Sequence, residues 1–256
     1  MSASTDPVIR FEGVCKSFGP QHVLRELSFD VPRGKTLAIM GPSGSGKSVT
    51  LRQIVGLMQP EAGRVLVEGQ EVAALDRKGL AAMRKRMGYV FQEGALINWL
   101  SIGENVALPL RENSDLPDDE IRARAEEKLA MVRVEGAWDK MPSEVSGGMK
   151  KRIGIARALI TDPEIILYDE PNAGLDPEIA RAVNAIIREL SENLDATAIV
   201  VEHRIECVRA VADEVLFLHE GAALIQTAPA AFFASEHPRL RRFFGTDEGP
   251  SDGTNS

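Results

Sequence analysis

The sequence predicts an α/β fold built on a parallel sheet, and three observations carry that prediction. Short apolar runs at Thr36–Met40 and at residues 165–168 and 198–201 have the near-continuous hydrophobicity of strands buried on both faces. A helical pattern, with apolar residues at Ile179, Val183, Ile186, Ile187 and Leu190, separates the second run from the third. The first run ends in a glycine-rich loop, as a strand does where it turns to hold a ligand on its carboxyl edge.

Taken in order, Val8-Ile9-Arg10-Phe11 is a short extended run, and residues 27–31 alternate apolar and polar before the turn Pro32-Arg33-Gly34. Residues 64–67, followed by Gly69, suggest another hairpin, so the N-terminal part is expected to be an antiparallel β region. Helical signals dominate the middle of the chain. Leu116-Pro117-Asp118-Asp119-Glu120 has Pro in a first turn and acids at the positive end of the helix dipole. Ile121, Ala125, Leu129 and Val132 follow at helical spacing. Pro177 opens the next helix, and residues 215–218 form a last apolar strand. The expected organisation is one domain over residues 8–245, with a helical insertion at about 93–158. The polar residues 246–256 form an expected flexible tail.

Composition narrows the function classes. The chain has 256 residues, with 38 acidic against 30 basic, and a net charge of −8. A nucleic-acid coat needs a basic surface, so no nucleic-acid partner is expected. Any phosphate must be held by a local site. The apolar runs are far shorter than the roughly 20 residues a bilayer-spanning helix needs. Residues 1–7 are polar and carry no signal-peptide core, which places the chain in the cytosol as an expectation. Cys15 and Cys207 are too few for a disulfide framework or a metal site and are expected to be reduced.

The chemistry is concentrated in Gly41-Pro42-Ser43-Gly44-Ser45-Gly46-Lys47-Ser48, a G-x-x-x-x-G-K-S loop between a strand and a helix. Its glycines let backbone N–H groups wrap a phosphate, and the helix that follows presents its positive dipole end. Lys47 should reach the β- and γ-phosphates of a bound nucleotide, and the Ser48 hydroxyl should ligate Mg²⁺. Asp169 ends a buried strand on the ligand side of the sheet, where its carboxylate can hold Mg²⁺. Glu170 follows as the partner for an attacking water. These two motifs predict a P-loop NTPase (RecA-like) core without choosing between a nucleotide hydrolase and a kinase.

Five further segments narrow the choice. Val145-Ser146-Gly147-Gly148-Met149 precedes a basic helix start and lies shortly before Asp169, with Ser146 23 positions ahead of it. Gln92 stands 45 residues after Lys47 in Tyr89-Val90-Phe91-Gln92, and His203 follows a strand 33 residues after Glu170. Ala173-Gly174-Leu175-Asp176 lies between them, and Phe18 lies upstream of the glycine loop. In this order the segments resemble the ATP-binding cassette (ABC) ATPases, and the resemblance covers residues 8 to about 220. It implies that Ser146, Gly147 and Gly148 are the signature, Gln92 the Q-loop, Asp176 the D-loop end and His203 the switch histidine. Phe18 would stack on adenine, Val49 would complete the phosphate loop, and Gln92 would join Ser48 and Asp169 at Mg²⁺. It also implies a head-to-tail homodimer with two ATP molecules between the cassettes, in which Ser146 and Gly148 of one copy meet the γ-phosphate held by Lys47 of the other. Lys47, Gln92, Glu170 and His203 are the expected catalytic set. The chain departs from the family pattern at Met149, Asn172, Glu202 and Arg204; the last two flank His203 and put its usual hydrogen-bond support in question.

A finer resemblance is carried by Phe91-Gln92-Glu93-Gly94-Ala95-Leu96, by residues 104–112 (ENVALPLRE), by Ser146-Gly147-Gly148-Met149-Lys150-Lys151-Arg152, and by the ending Arg241-Arg242-Phe243-Phe244-Gly245. These are similar to the Mla/Mce-type ATPases. That resemblance implies phospholipid transport across the bacterial envelope, from the cytoplasmic face of the inner membrane. Its implied partners are a multispanning permease, an Mce-type lipid-binding protein and a small regulatory subunit. Residues 93–112 would receive the permease, with Leu96, Ile97 and Trp99 as apolar contacts. Another ABC importer or exporter, or a soluble non-transport ABC ATPase, stands as the alternative.

Overall fold

The computed structural model describes residues 6–245, and the tail at 246–256 lies outside the described residues. The chain begins with β1 (Ile9–Phe18) and β2 (Gln21–Val31), then β3 (Thr36–Met40) and, across the glycine loop, α1 (Lys47–Ile54). β4 (Ala62–Val67) and the short β5 (Gln70–Glu71) lead to α2 (Arg77–Lys85) and β6 (Met87–Val90). Three helices follow: α3 (Ile102–Asn113), α4 (Asp118–Met131) and α5 (Gly147–Leu159). The chain then alternates β7 (Ile165–Asp169), α6 (Pro177–Asn193), β8 (Thr197–Val201), α7 (Ile205–Val211) and β9 (Glu214–His219). It closes with β10 (Ala222–Thr227), α8 (Pro229–Phe233) and α9 (Pro238–Phe244).

Two sheets result. The larger has the order β10-β9-β3-β8-β7-β6, parallel except for β10 at its edge, and the smaller is antiparallel in the order β2-β1-β4-β5. The α/β class expected from the sequence is therefore the class observed. Every residue of β3, β7 and β8 is buried, which is why those strands are continuous apolar runs. The register matters for the site: Val201 pairs with Ile39 on one side and with Asp169 on the other. The glycine loop, Asp169 and the turn after β8 therefore leave the sheet side by side.

β1 and β2 extend well beyond the short runs visible in the sequence. β1 shifts register after Phe11 and again after Val14, and these bulges break the two-residue alternation on which a strand is recognised. Phe11 and Phe29 stack across the pair at 4.5 Å between centroids and anchor the core between the two sheets. A second core joins α3, α4, α5 and α6 to the other face of the large sheet. The third is small, around Phe217, Phe232 and Leu240 at the C-terminal end.

Local chemistry explains the helix boundaries. α3 opens with a capping box in which Ser101 Oγ accepts the Glu104 N–H and the Glu104 carboxylate accepts the Ser101 N–H. α4 starts after Pro117 and carries three acids in its first turn, as its dipole favours. α6 is capped by Asp176, whose Oδ1 accepts the N–H groups of Glu178 and Ile179 at 3.0 and 2.9 Å, a cap typically worth about 1 kcal/mol.

Candidate nucleotide-hydrolysis site

The loop between β3 and α1 has the backbone of a phosphate nest. Gly46 has φ 101°, a conformation that L side chains rarely adopt, and a Cβ there would stand 2.4 Å from Leu24 Cδ2. A Cβ on Gly41 would meet the Leu218 carbonyl oxygen at 2.3 Å. Pro42, Ser43 and Gly44 are exposed at the loop tip, whereas Ser45 is buried with its hydroxyl unpartnered by any described residue. Val49 faces the core between the sheets. Lys47 is almost fully buried, and its ammonium donates to the carbonyls of Gly41 and Pro42 at 2.8 and 2.9 Å. Burial lowers its pKa, against the opposing pull of the Glu170, Asp169 and Glu202 carboxylates.

Ser48 Oγ donates to Asp169 Oδ1 at 3.0 Å, although 121 residues separate them. The donors that meet here are a hydroxyl and a carboxylate, hard oxygens of the kind Mg²⁺ selects. Among the described residues no group of three or more His, Cys, Asp or Glu side chains could hold a metal by itself. Mg²⁺ keeps several waters and takes further ligands from substrate phosphates, so the Ser48 hydroxyl and the Asp169 carboxylate are a donor set that suits it. On the other side of Asp169, the Tyr89 hydroxyl donates to Oδ2 at 3.1 Å. Burial, and then the Asp169 charge, raise the Tyr89 pKa and keep that proton in place.

Glu170 has a left-handed backbone with φ 47°. Gln92 Nε2 donates to Glu170 Oε2 at 3.2 Å, and His203 Nδ1 lies 4.0 Å from the same oxygen. Lys47, Ser48, Gln92, Asp169, Glu170 and His203 thus form one connected cluster at the carboxyl ends of β3, β6, β7 and β8. An acid positioned beside a hydroxyl–carboxylate pair and a glycine-rich loop is equipped to activate water against a phosphoryl group.

The remaining predicted residues lie elsewhere on the chain. Ser146 caps α5, accepting the Met149 N–H at 3.2 Å. Gly147 borders open space, whereas a Cβ on Gly148 would meet Ile179 Cγ2 at 2.4 Å. Asp176 caps α6 and makes no hydrogen bond to the cluster within the chain. Phe18, at the end of β1, is exposed beneath the Lys16 ammonium, which lies 5.8 Å from its ring centroid. A cleft of about 530 Å³ lies between Gln92, Gly147, Lys151 and Leu175, and Leu96 lines it too. A second groove, of about 610 Å³, is lined by Tyr89, Phe91, Ile97, Pro109 and Arg157. Of the three apolar contacts expected at a docking groove, only Ile97 lines this one; Trp99 is 80% exposed. Much of the lining comes from α2, β6 and α5, outside residues 93–112.

Four supporting residues went unassigned in the sequence. Tyr89 holds Asp169, Lys151 of α5 donates to the Gln92 carbonyl, Arg204 donates to the Leu175 carbonyl at 2.8 Å, and Glu202 accepts from the His203 backbone. Glu202 and Arg204 carried a signal as departures from the family pattern; Lys151 and Tyr89 carried none beyond their neighbours.

The profile of the ABC transporter family matches residues 24–173, more than half of the chain. The Escherichia coli K12 protein "Intermembrane phospholipid transport system ATP-binding protein MlaF" is 38% identical over 98% of this chain and 93% of its own length. The Haemophilus influenzae protein of the same name is 39% identical over 91% of this chain and 88% of its own. The Mycobacterium leprae "Probable ribonucleotide transport ATP-binding protein mkl" is 37% identical over 94% of this chain and 70% of its own. Among solved structures, cbiO1 of Clostridium perfringens superposes with a TM-score of 0.82 at 30% identity, covering 94% of this chain and 99% of that one. The ATP-binding cassette MJ0796, solved as a dimer bound to ADP and Pi, superposes with a TM-score of 0.79 at 32% identity, covering 86% of this chain and 98% of that one. With the P-loop, the Asp169-Glu170 pair and His203 gathered on one sheet edge, these likenesses establish that the chain belongs to the ABC transporter family and is an ATP-hydrolysing cassette.

Proposed function

We propose that this ATPase powers phospholipid transport across a bacterial envelope, as a peripheral subunit on the cytoplasmic face of the inner membrane. The observation that supports this most is likeness over nearly the whole chain, 38–39% identity to two proteins named for intermembrane phospholipid transport. Among the described residues no helix is long and apolar enough to cross a membrane, so transport needs a multispanning permease as partner. The groove beside Phe91 and Ile97 is where we place its contact. An Mce-type lipid-binding protein and a small regulatory subunit complete the proposed assembly.

In the proposed mechanism two copies close head to tail on two ATP molecules. The backbone N–H groups of residues 41–48 and the Lys47 ammonium bind the β- and γ-phosphates, and Phe18 stacks on adenine. Ser48 and Asp169 would hold Mg²⁺ with Gln92 beside them, and the bound ion would supply charge neutralisation at the phosphates. Glu170 orients the attacking water and accepts its proton. Ser146 and Gly148 of the partner cassette, at the N-terminus of α5, donate to the γ-phosphate, and the region around Asp176 lies against the partner's site. His203 steadies the transferring phosphoryl group. Hydrolysis removes the bridge that holds the copies together, and opening is passed to the permease through Gln92.

Reconstitution of the chain with the membrane proteins that co-purify with it tests this reading. The complex should move labelled phospholipid between membranes only with hydrolysable ATP. Transport of a soluble solute without lipid movement would instead assign it to another kind of ABC importer or exporter. If no multispanning protein co-purifies, the transporter reading fails in favour of a soluble ABC ATPase.

A further inference from the structure

The turn after β8 contains a buried charge that the mechanism above does not use. Glu202 is fully buried, and its backbone N–H donates to the Ile39 carbonyl at 3.2 Å, so β3 sets its position. Its Oε1 accepts the N–H groups of His203 and Arg204 at 2.9 and 3.2 Å. The same oxygen lies 3.4 Å from His203 Nδ1. Its Oε2 has no hydrogen-bond partner among the described residues. Lys47, Lys151, Cys207 and His203 are the titratable groups whose charge or proton senses this carboxylate.

Capping two backbone N–H groups does not call for a charge. An amide or a hydroxyl does it without the cost of burying an ionised carboxylate. The imidazole beside it does profit from one. His203 is 52% exposed and could otherwise turn freely, and its Nδ1 sits between two acids, with Glu202 at 3.4 Å and Glu170 at 4.0 Å. Glu170 must stay available to water. A ring whose Nδ1–H settled on Glu170 would occupy the oxygen that is to take a proton.

We propose that Glu202 is a positioning residue for ATP hydrolysis, its buried carboxylate drawing the Nδ1–H of His203 to itself. This fixes one ring orientation and, in the neutral ring, the Nδ1–H tautomer; Nε2 is turned outward, and the doubly protonated ring donates its Nε2–H to the γ-phosphate while the Glu202 carboxylate balances its charge. The carboxylate that orients a histidine in hydrolytic triads does the same work, and its replacement by an amide leaves the fold intact while selecting the wrong tautomer. The departure from the family pattern at position 202 thereby supplies the support that position 203 needs.

Nitrogen-15 NMR of the His203 ring in the full-length chain tests the proposal directly, at a pH above the imidazole titration. The His203 signal is assigned by its loss in His203→Gln. The wild-type ring should be the Nδ1–H tautomer, and the Nε2–H tautomer there would overturn the proposal whatever any variant does. Glu202→Gln retains an oxygen for both backbone N–H groups. It should shift the tautomer and lower kcat by about 10-fold or more, with KM for ATP changed less than about twofold. Wild-type kcat in Glu202→Gln, or an unchanged tautomer, refutes it. Glu202→Asp, which keeps the charge, should recover part of the lost kcat; no recovery, with a lowered melting temperature in both variants, would show a structural cap only.

Discussion

Glu170 is held in a backbone conformation that non-glycine residues enter rarely, with φ 47° immediately after Asp169. Such strain persists only where the surroundings impose it, and here the Glu170 N–H is fixed by the Val201 carbonyl at 3.0 Å. The consequence is that the two neighbouring carboxylates point to different tasks, Asp169 toward Ser48 and Glu170 toward Gln92. Glu170→Gln should retain ATP binding and lose about 10²–10⁴ in turnover, the usual worth of a general base; steady-state phosphate release measures it, and turnover near wild type would remove Glu170 from that role. Lys47→Ala should abolish the rise in melting temperature that Mg·ATP produces, read by differential scanning fluorimetry. These residues were legible because phosphate binding confines residue type and spacing so tightly. The contacts of Tyr89, Lys151 and Arg204 were not, since their partners Asp169, Gln92 and Leu175 lie 80, 59 and 29 residues away and no local pattern records such contacts.

At the scale of elements, α5 and the segment after β6 behave as one piece. Lys151 donates to the Gln92 carbonyl, and Arg157 donates to the carbonyls of Gly94 and Ala95 at 2.8 and 2.7 Å. Two glycines let them touch: a Cβ on Gly154 would stand 3.1 Å from Gly94 Cα, and one on Gly94 would stand 2.7 Å from the Lys150 carbonyl oxygen. Gly154→Leu should cost about 1–3 kcal/mol through overpacking against that backbone, measured by urea denaturation, and should lower ATPase activity by displacing Gln92. The helix capped by Ser146 is therefore tied directly to the segment that follows Gln92. α4 and α6 were readable from their caps and periodicity. α3 was obscured by Pro109 in its interior. β10, α8 and α9 were also hidden, because they are short and hold together by packing of Phe217, Phe232, Phe233, Phe243 and Phe244 rather than by any sequence period.

The whole molecule brings half of a proposed catalytic unit to one face. The P-loop cluster is complete at the carboxyl edge of the large sheet, while Ser146 and Gly147 face open solvent at the tip of α5 with no phosphate site of their own chain in hydrogen-bonding contact. Glu170→Gln with Mg·ATP should therefore elute at twice the monomer mass in size-exclusion chromatography with light scattering. Removing Mg²⁺ with a chelator should return it to monomer, and a monomer under both conditions would overturn the head-to-tail arrangement. The fold class was legible from the buried strands, since a parallel sheet covered on both faces leaves an unmistakable apolar signature.

The pairing of Val201 with both Ile39 and Asp169 has a consequence for how such a chain can change over evolutionary time. Three adjacent strands act as a common ruler for the chemistry that leaves their ends. Moving any one of them by a single residue would reverse its faces and carry the phosphate loop, the metal carboxylate or the histidine turn out of reach of the other two. A change that alters the spacing between the three strand ends would dismantle the cluster even where it spared every residue in it.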